Sequence, residues 1–469
     1  MHRNRQTKIV ATLGPASSSE TMILWLFERG VDVFRLNFSH GTHETHAHNI
    51  ECIKKLRESV SRPIAILADL QGPKLRVGQF ESSTAQVKAG QVFTFDMSPT
   101  LGDSTRVQLP HPEIFEASKR GDELLVDDGK LAFRVDSVGA DCIKTTALVS
   151  GTMSNNKGLN LPSTYLPIDI LTNKDKSDLE FALSKNVDFI GLSFVQTADD
   201  IVCARNLIHT QGKTQTKIIA KLEKPQAIQN LNSILKAADG VMIARGDLGV
   251  ELPLEQLPPL QRHILREANK HSTPVIVATQ MLESMIHAPK PTRAEVSDVA
   301  TAVYLGTDAV MLSAESASGA HPKEAVEIMD RVVFTAEHDM IERHHVHLSS
   351  APSVSEAAMV LARQHKARII AALSNSFEAV ACISSLKPGV PILVITSNIH
   401  VYHQLTLLYG VHGVYLESLP DASNPVAYNK LVQDVATKEG MITRADHVVI
   451  VLSAEAIDAS VFSGLSILK

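Results

Sequence analysis

The sequence predicts an α/β fold: a (β/α)8 TIM barrel with an inserted small all-β lid domain and a C-terminal α/β domain. Three observations predict it. Short apolar runs recur with helical patterns between them, roughly a hundred residues separate the third run from the fourth, and the pattern restarts after about residue 345.

The barrel strands are expected at Lys8–Leu13, Val31–Phe38, Ile64–Leu70, Val187–Phe194, Lys217–Glu223, Val241–Ala244, Val275–Thr279 and Ala309–Ser313. Polar residues gather at their C-terminal ends, where such barrels build active sites. The long third connection alternates like short strands, as in Gln91-Val-Phe-Thr-Phe95 and Lys130-Leu-Ala-Phe-Arg-Val135. Gln71-Gly72-Pro73 leads into it, and Asn160-Leu161-Pro162 with Leu166-Pro167 leads out as hinges. The expected division is 1–72 and 169–345 for the barrel, 73–168 for the lid and 346–469 for the last domain. There a helix is expected from Ser355, then strands Arg368–Leu373, Ile392–Thr396 and Val448–Leu452. The His-rich stretch 342–347 at the junction reads as a solvated linker in preference to a zinc site.

Composition narrows the function. The 469 residues are 44% hydrophobic and 20% charged, and the net charge of −6 comes without a dense Lys/Arg stripe. With aromatics at only 4%, no nucleic-acid platform is expected. Cys52, Cys142, Cys203 and Cys382 lack metal-binding spacing and read as reduced core residues. The N-terminus has no signal-peptide pattern and no run reaches membrane-spanning length, so a cytoplasmic protein is expected.

The sharpest chemical signal is Lys221 and Glu223, two apart at the end of the fifth strand and therefore on one face. The next strand ends in Arg245-Gly246-Asp247-Leu248-Gly249. Two carboxylates suit a hard divalent cation, and a fixed lysine suits the anion that cation holds. Gly246 lets backbone N–H groups approach a small carboxylate; the competing reading is a loop that uses glycine simply to turn. On the second strand Arg35, Asn37 and Ser39 share a face, and Arg35 offers a planar fork for phosphate or carboxylate. The competing reading is a buried arginine paired to a neighbouring acid, with His40 an ordinary rim residue. Asp69, Lys74 and Arg76 cluster at the lid hinge, where charge is usually structural. Thr279, Ser313 and Glu315 end the seventh and eighth strands; singly each resembles a helix cap. Convergence of six strands on one rim raises the functional reading.

At these residues the chain resembles the pyruvate kinases. The likeness covers 7–15, 35–41, Val126-Asp-Asp-Gly129, Lys157-Gly-Leu-Asn-Leu-Pro162, 218–223, 242–249, 278–285, 291–295 and 311–316, in family order. It implies phosphoryl transfer from phosphoenolpyruvate to ADP, then protonation of the enolate to pyruvate. By resemblance Glu223 and Asp247 are ligands of Mg2+ (or Mn2+), and Lys221 bridges the phosphoryl group and enolate oxygen. Gly246, Asp247 and Thr279 form the carboxylate site, and Arg35 contacts the phosphoryl group. Arg76, His40 and Lys157 contact nucleotide phosphates, Arg76 also counting as catalytic. Ser313 and Glu315 are candidates for a proton relay, and a homotetramer is expected.

Two departures matter. Potassium-dependent members carry Glu where this chain has Lys74, and Thr-Lys where it has Leu70-Gln71. A lysine ammonium near Asn37, Ser39 and Asp69 would stand in for K+, so K+ is expected not to be required. The family's phosphosugar loop, Thr/Ser-x-Ser-Gly-Arg-Ser/Thr, is here Ser374-Asn375-Ser376-Phe377-Glu378-Ala379, and the segment from Ser453 lacks the usual Gly/Arg loop. Sugar-phosphate activation is therefore expected to be lost or altered. A Mg2+-dependent barrel lyase and a non-catalytic metabolite sensor are the rival readings; the lyase would not need Lys157 or Arg76, and the sensor would not need Lys221, Glu223, Asp247 and Thr279 intact.

Overall fold

The structure is a computed structural model that describes residues 3–60, 62–162, 164–166, 168–340, 353–420, 425–443, 445–453 and 462–468. All eight expected barrel strands form, at Lys8–Leu13, Val33–Asn37, Ala65–Asp69, Phe189–Leu192, Lys217–Leu222, Gly240–Ala244, Val275–Ala278 and Ala309–Leu312. They pair in parallel, each with its sequence neighbours, and the first closes on the eighth. Several end earlier than their apolar runs. Phe194 and Thr279 adopt φ of 57° and 68°, which no strand tolerates, and Ser39 lies in a turn beyond Asn37.

Two apolar layers build the barrel. Outward strand residues such as Ile9, Phe34 and Ile218 pack under the helices. Inward residues, among them Val10, Leu67, Phe189, Met242 and Met311, fill the interior. That interior runs on into the C-terminal domain, whose Phe377 ring meets Phe189 edge-on at 6.1 Å. Each such buried side chain contributes about 1.5–3 kcal/mol relative to exposure, so the base of the barrel and this domain share one core.

Between the third and fourth barrel strands lie a six-stranded and a two-stranded sheet around Phe93, Phe95 and Phe133. This lid is not wholly β, since Pro112–Ala117 forms a short helix started by its proline. The C-terminal sheet has five strands rather than the three anticipated. Val411–Tyr415 adds a parallel edge and Phe462–Leu468 an antiparallel one. The first is five residues long with a His and a Gly inside, too weak a pattern to stand out. The expected helix runs Val354–Gln364, capped by Ser353. The stretch 342–347 and residues 454–458 lie outside the described residues. All four cysteines are free, but only Cys52 is buried; Cys203 is exposed and the other two half-buried, so the core reading holds for one. Among the described residues no helix is long and apolar enough to cross a membrane.

Candidate active site

Register brings the expected residues to one rim. Asn37 pairs with Asp69, and Asp69 with Gly191, two residues before Ser193. The fifth strand pairs Leu222 with Ile243, just before the Ala244–Arg245 turn. Each strand thus releases its last polar side chain at the same height.

Lys221 is the hub. Its Nζ lies 3.1 Å from Asp69 Oδ1 and 2.9 Å from Glu223 Oε1, and it donates to Ser193 Oγ at 2.7 Å. Burial alone would lower its proton affinity; Asp69 and Glu223 overcome that and raise it above the ordinary lysine range. Lys221 therefore stays an ammonium at neutral pH. Burial would lift Asp69, but Lys221 and Arg35 hold it below the usual carboxylate range. Arg35 donates through Nε to Asp69 Oδ2 at 2.6 Å and through Nη1 to Thr12 Oγ1 at 3.0 Å. Arg35 is thus buried and paired to an acid, and among the described residues no hydrogen bond engages its Nη2.

Glu223 is buried and accepts from the Phe194 N–H at 2.9 Å. Burial and the nearby Asp247 charge push its carboxyl up despite Lys221. Two carboxylates crowded in this way accept a cation between them, which tests the metal reading on chemistry alone. Among the described residues no cluster of three or more His, Cys, Asp or Glu forms. A two-carboxylate donor set with room for water and substrate oxygens fits Mg2+, which keeps several waters.

The short helix Arg245–Glu251 follows the sixth strand directly, placing Gly246 and Asp247 in its first turn. Gly246 N–H donates to Thr279 Oγ1 at 2.7 Å. A β-branched residue at φ of 68° is strained. Arg245 offsets that strain: its Nη2 donates to the Thr279 carbonyl at 2.7 Å, while Nη1 grips both Asp298 oxygens at 2.8 and 2.7 Å.

Other expected residues fall elsewhere. Glu315 gives both oxygens to backbone amides, of Leu282 at 3.2 Å and Ser313 at 2.7 Å, and so braces two rim loops rather than standing free to relay protons. Ser313 Oγ is buried without a partner. His40 is exposed after the second strand, its carbonyl accepting from His46 at 2.9 Å. Arg76 and Lys157 sit on the lid, where Arg76 bridges to Gly158 and Lys157 pairs with Asp127 at 2.8 Å. Among the described residues no hydrogen bond or ion pair joins Lys74 to Asn37, Ser39 or Asp69. Its Cε instead lies 3.4 Å from where a Cβ at Gly158 would stand, and it lines the lid–barrel cleft with Asp128 and Asp247.

Sequence reasoning missed Thr12, Ser193, Arg245, Asp298, Lys224 and Glu251. Ser193 was accessible to it, because it follows Gly191-Leu192 at the same rim as Lys221. Glu251 was not, because its partners come from two distant segments.

Comparison with known proteins identifies the family. Residues 4–326 match the family model for the pyruvate kinase barrel domain, and 352–457 match that for the pyruvate kinase alpha/beta domain. A pyruvate kinase of Methylorubrum extorquens is 43% identical over 96% of this chain and 94% of its own. One from Agrobacterium vitis is 42% identical over 96% and 95%. The crystal structure of a pyruvate kinase from Cryptosporidium parvum superposes with a TM-score of 0.92 at 32% identity, covering 99% of this chain and 96% of that one. With the barrel, the charged rim and both family domains in place, the chain belongs to the pyruvate kinase family.

Proposed function

We propose that the rim transfers the phosphoryl group of phosphoenolpyruvate to ADP and then protonates the enolate, giving pyruvate and ATP. The observation that carries this is the Lys221 ammonium, permanently charged between Asp69, Glu223 and Ser193 and facing the Arg35 guanidinium. Such transfer needs positioning and charge neutralisation, not a protein nucleophile.

Glu223 and Asp247 would hold Mg2+ or Mn2+, which supplies Lewis-acid charge to the transferring phosphoryl and the enolate oxygen. The free edge of Arg35 binds phosphoryl oxygens. Lys221 offsets negative charge on the bridging oxygen as the bond breaks. Thr279 and the turn at Gly246 and Asp247 seat the carboxylate, which would take over the Gly246 N–H that Thr279 Oγ1 accepts in the ligand-free site. Removing one such preorganised donor costs on the order of 10²–10³ in rate. Because Lys221 keeps its proton, the proton reaching the enolate comes from elsewhere; water near Thr279 and Ser313 Oγ fits, and Glu315 does not. Lid closure brings Arg76 and Lys157 to the nucleotide phosphates, beside His40, and excludes water.

Two finer readings accompany this. Lys74 in the cleft replaces the charge of a monovalent cation, acting from the lid side rather than beside Asp69. The loop 374–379 is committed to structure: Ser376 Oγ accepts from Ala379 N–H at 3.2 Å, and Glu378 pairs with Lys217 of the barrel. A sugar phosphate would have to displace that carboxylate, so activation there is lost. A homotetramer belongs to this reading, as the pyruvate kinase resemblance implies.

The test is a coupled pyruvate-release assay with phosphoenolpyruvate, ADP and Mg2+. Turnover dependent on ADP supports the reading; pyruvate release without ADP favours the lyase, and silence the sensor. Repeating it with K+ replaced by tetramethylammonium at matched ionic strength should change turnover less than twofold. Sub-millimolar activation by any sugar phosphate, abolished by Ser376→Ala, would refute loss of the effector pocket.

A further inference from the structure

The Glu251 carboxylate, buried at the end of the short helix Arg245–Glu251, joins three segments that the reaction assigned above leaves unconnected. Its Oε1 accepts from Asn160 Nδ2 at 2.6 Å and lies 2.5 Å from Lys224 Nζ. Asn160 ends the last lid strand, at the lead-out hinge. Lys224 directly follows Glu223. Glu251 ends the helix whose first turn holds Gly246 and Asp247. One oxygen atom thus ties the lid to the backbone segments carrying both metal-binding carboxylates.

Two further observations place the lid on this helix. The loop 127–129 has three successive positive φ values, 55°, 55° and 80°. It brings Gly129 so near that a Cβ there would stand 3.8 Å from Val250 Cγ1. The lid therefore bonds to residue 251 and closely approaches residue 250 from two separate segments. Glu251 Oε2, meanwhile, is buried with no hydrogen-bond partner among the described residues. A carboxylate oxygen left in that state is costly, and natural structures retain few of them. A tether fixed by Oε1 alone, with Oε2 unengaged, leaves the carboxylate free to turn as the hinge moves.

We propose that Glu251 is a positioning residue that pins the lid hinge to the metal-holding helix, so that lid closure and the placement of Asp247 are coupled. The proposal rests on the phosphoryl-transfer reading for its catalytic consequence but not for its mechanical one. The pin acts through Asn160 and Lys224 and touches no reacting atom. Coupling is reciprocal: whatever orders Glu223 and Asp247 also favours the closed lid, and nucleotide drawn in by the lid steadies Asp247.

Asn160→Ala, Glu251→Gln and the double variant make the test, with two readouts. By steady-state kinetics Asn160→Ala should raise the KM for ADP about tenfold, the size expected for losing a hydrogen bond to a charged group, while the KM for phosphoenolpyruvate changes less than twofold. Because the two side chains act as one unit, the double variant should be no worse than the worse single variant. By amide hydrogen exchange on the ligand-free chain, lid segment 150–162 should exchange faster in Asn160→Ala than in the parent. Unchanged lid exchange, or equal losses for both substrates that add in the double variant, overturns the pin. If Glu251→Gln fails to fold, Asn160→Ala and Lys224→Met carry the same comparison. A parent chain silent towards phosphoenolpyruvate and ADP would refute the assigned reaction, leaving hydrogen exchange to judge the pin.

Discussion

The two ends of the barrel hold buried charge in opposite ways. At the base three buried cations find their partners within the protein. Lys387 pairs with Asp308 across the join to the C-terminal domain, and Arg5 with Asp32 at 2.9 Å. Lys8 donates to the Val411 carbonyl at 2.7 Å. At the rim the match is left incomplete: Glu223 is pushed up beside Asp247, and Arg35 keeps an edge free. The lesson is that burial of charge does not mark function by itself. Charge at the base holds the barrel and docks the C-terminal domain, whereas charge at the rim is what the proposed function would use.

The largest effect should follow loss of the rim hub. Lys221→Met should lower kcat by at least about 10³-fold, with the melting temperature of the ligand-free chain falling far less than a base substitution lowers it. Stopped activity with an intact melt places the charge at the chemistry; a collapsed melt would make the rim as structural as the base. Glu223→Gln comes next, with a loss of about 10²–10³-fold and weakened Mn2+ binding by electron paramagnetic resonance. Its metal-free melt should not fall, because burial beside Asp247 disfavours the carboxylate form. A mild activity change would refute the ligand role.

At the base the signs reverse. Asp308→Ala leaves Lys387 buried and unpaired, and removes the acceptor of Val275 N–H at 2.9 Å. It should cost about 3–5 kcal/mol in denaturant unfolding, with the KM of both substrates unmoved in the surviving fold. A softer test uses Lys8, which burial pushes down to about 8 from 10.5 although Asp32 opposes the shift. A lysine whose folded value is depressed binds fewer protons folded than unfolded. Stability should therefore rise with pH between about 8 and 10.5, by up to about 3 kcal/mol, and Lys8→Met should flatten that slope.

How far the sequence reveals this division depends on range. The barrel was legible because its strands repeat one pattern eight times, and Lys221 with Glu223 because a spacing of two fixes a common face. Arg35 was legible only as an alternative, since spacing cannot say whether an acid 34 residues away meets it; Asp69 does. Lys74 was placed beside Asp69 by the family resemblance, but the turn after Gly72 carries it to the lid side. Glu315 looked available because its two backbone partners come from loops whose geometry no periodicity encodes. The base pairs were invisible for the same reason, joining residues as far apart as 308 and 387.

The smallest expected effect tests whether base and rim are independent at all. Lys217 opens the strand that carries Lys221, and it pairs with Glu378 of the C-terminal domain. Glu378 is half exposed, so solvent screens the pair, and Glu378→Gln should cost no more than about 1 kcal/mol. Strand position is set by more than this contact: the Phe189–Phe377 packing and the Gln404 Nε2 bond to the Gln215 carbonyl at 2.7 Å both remain. The kcat of Glu378→Gln should therefore lie within twofold of the parent. A larger change, with the melt intact, would mean that four residues of strand carry a signal from the base to Lys221.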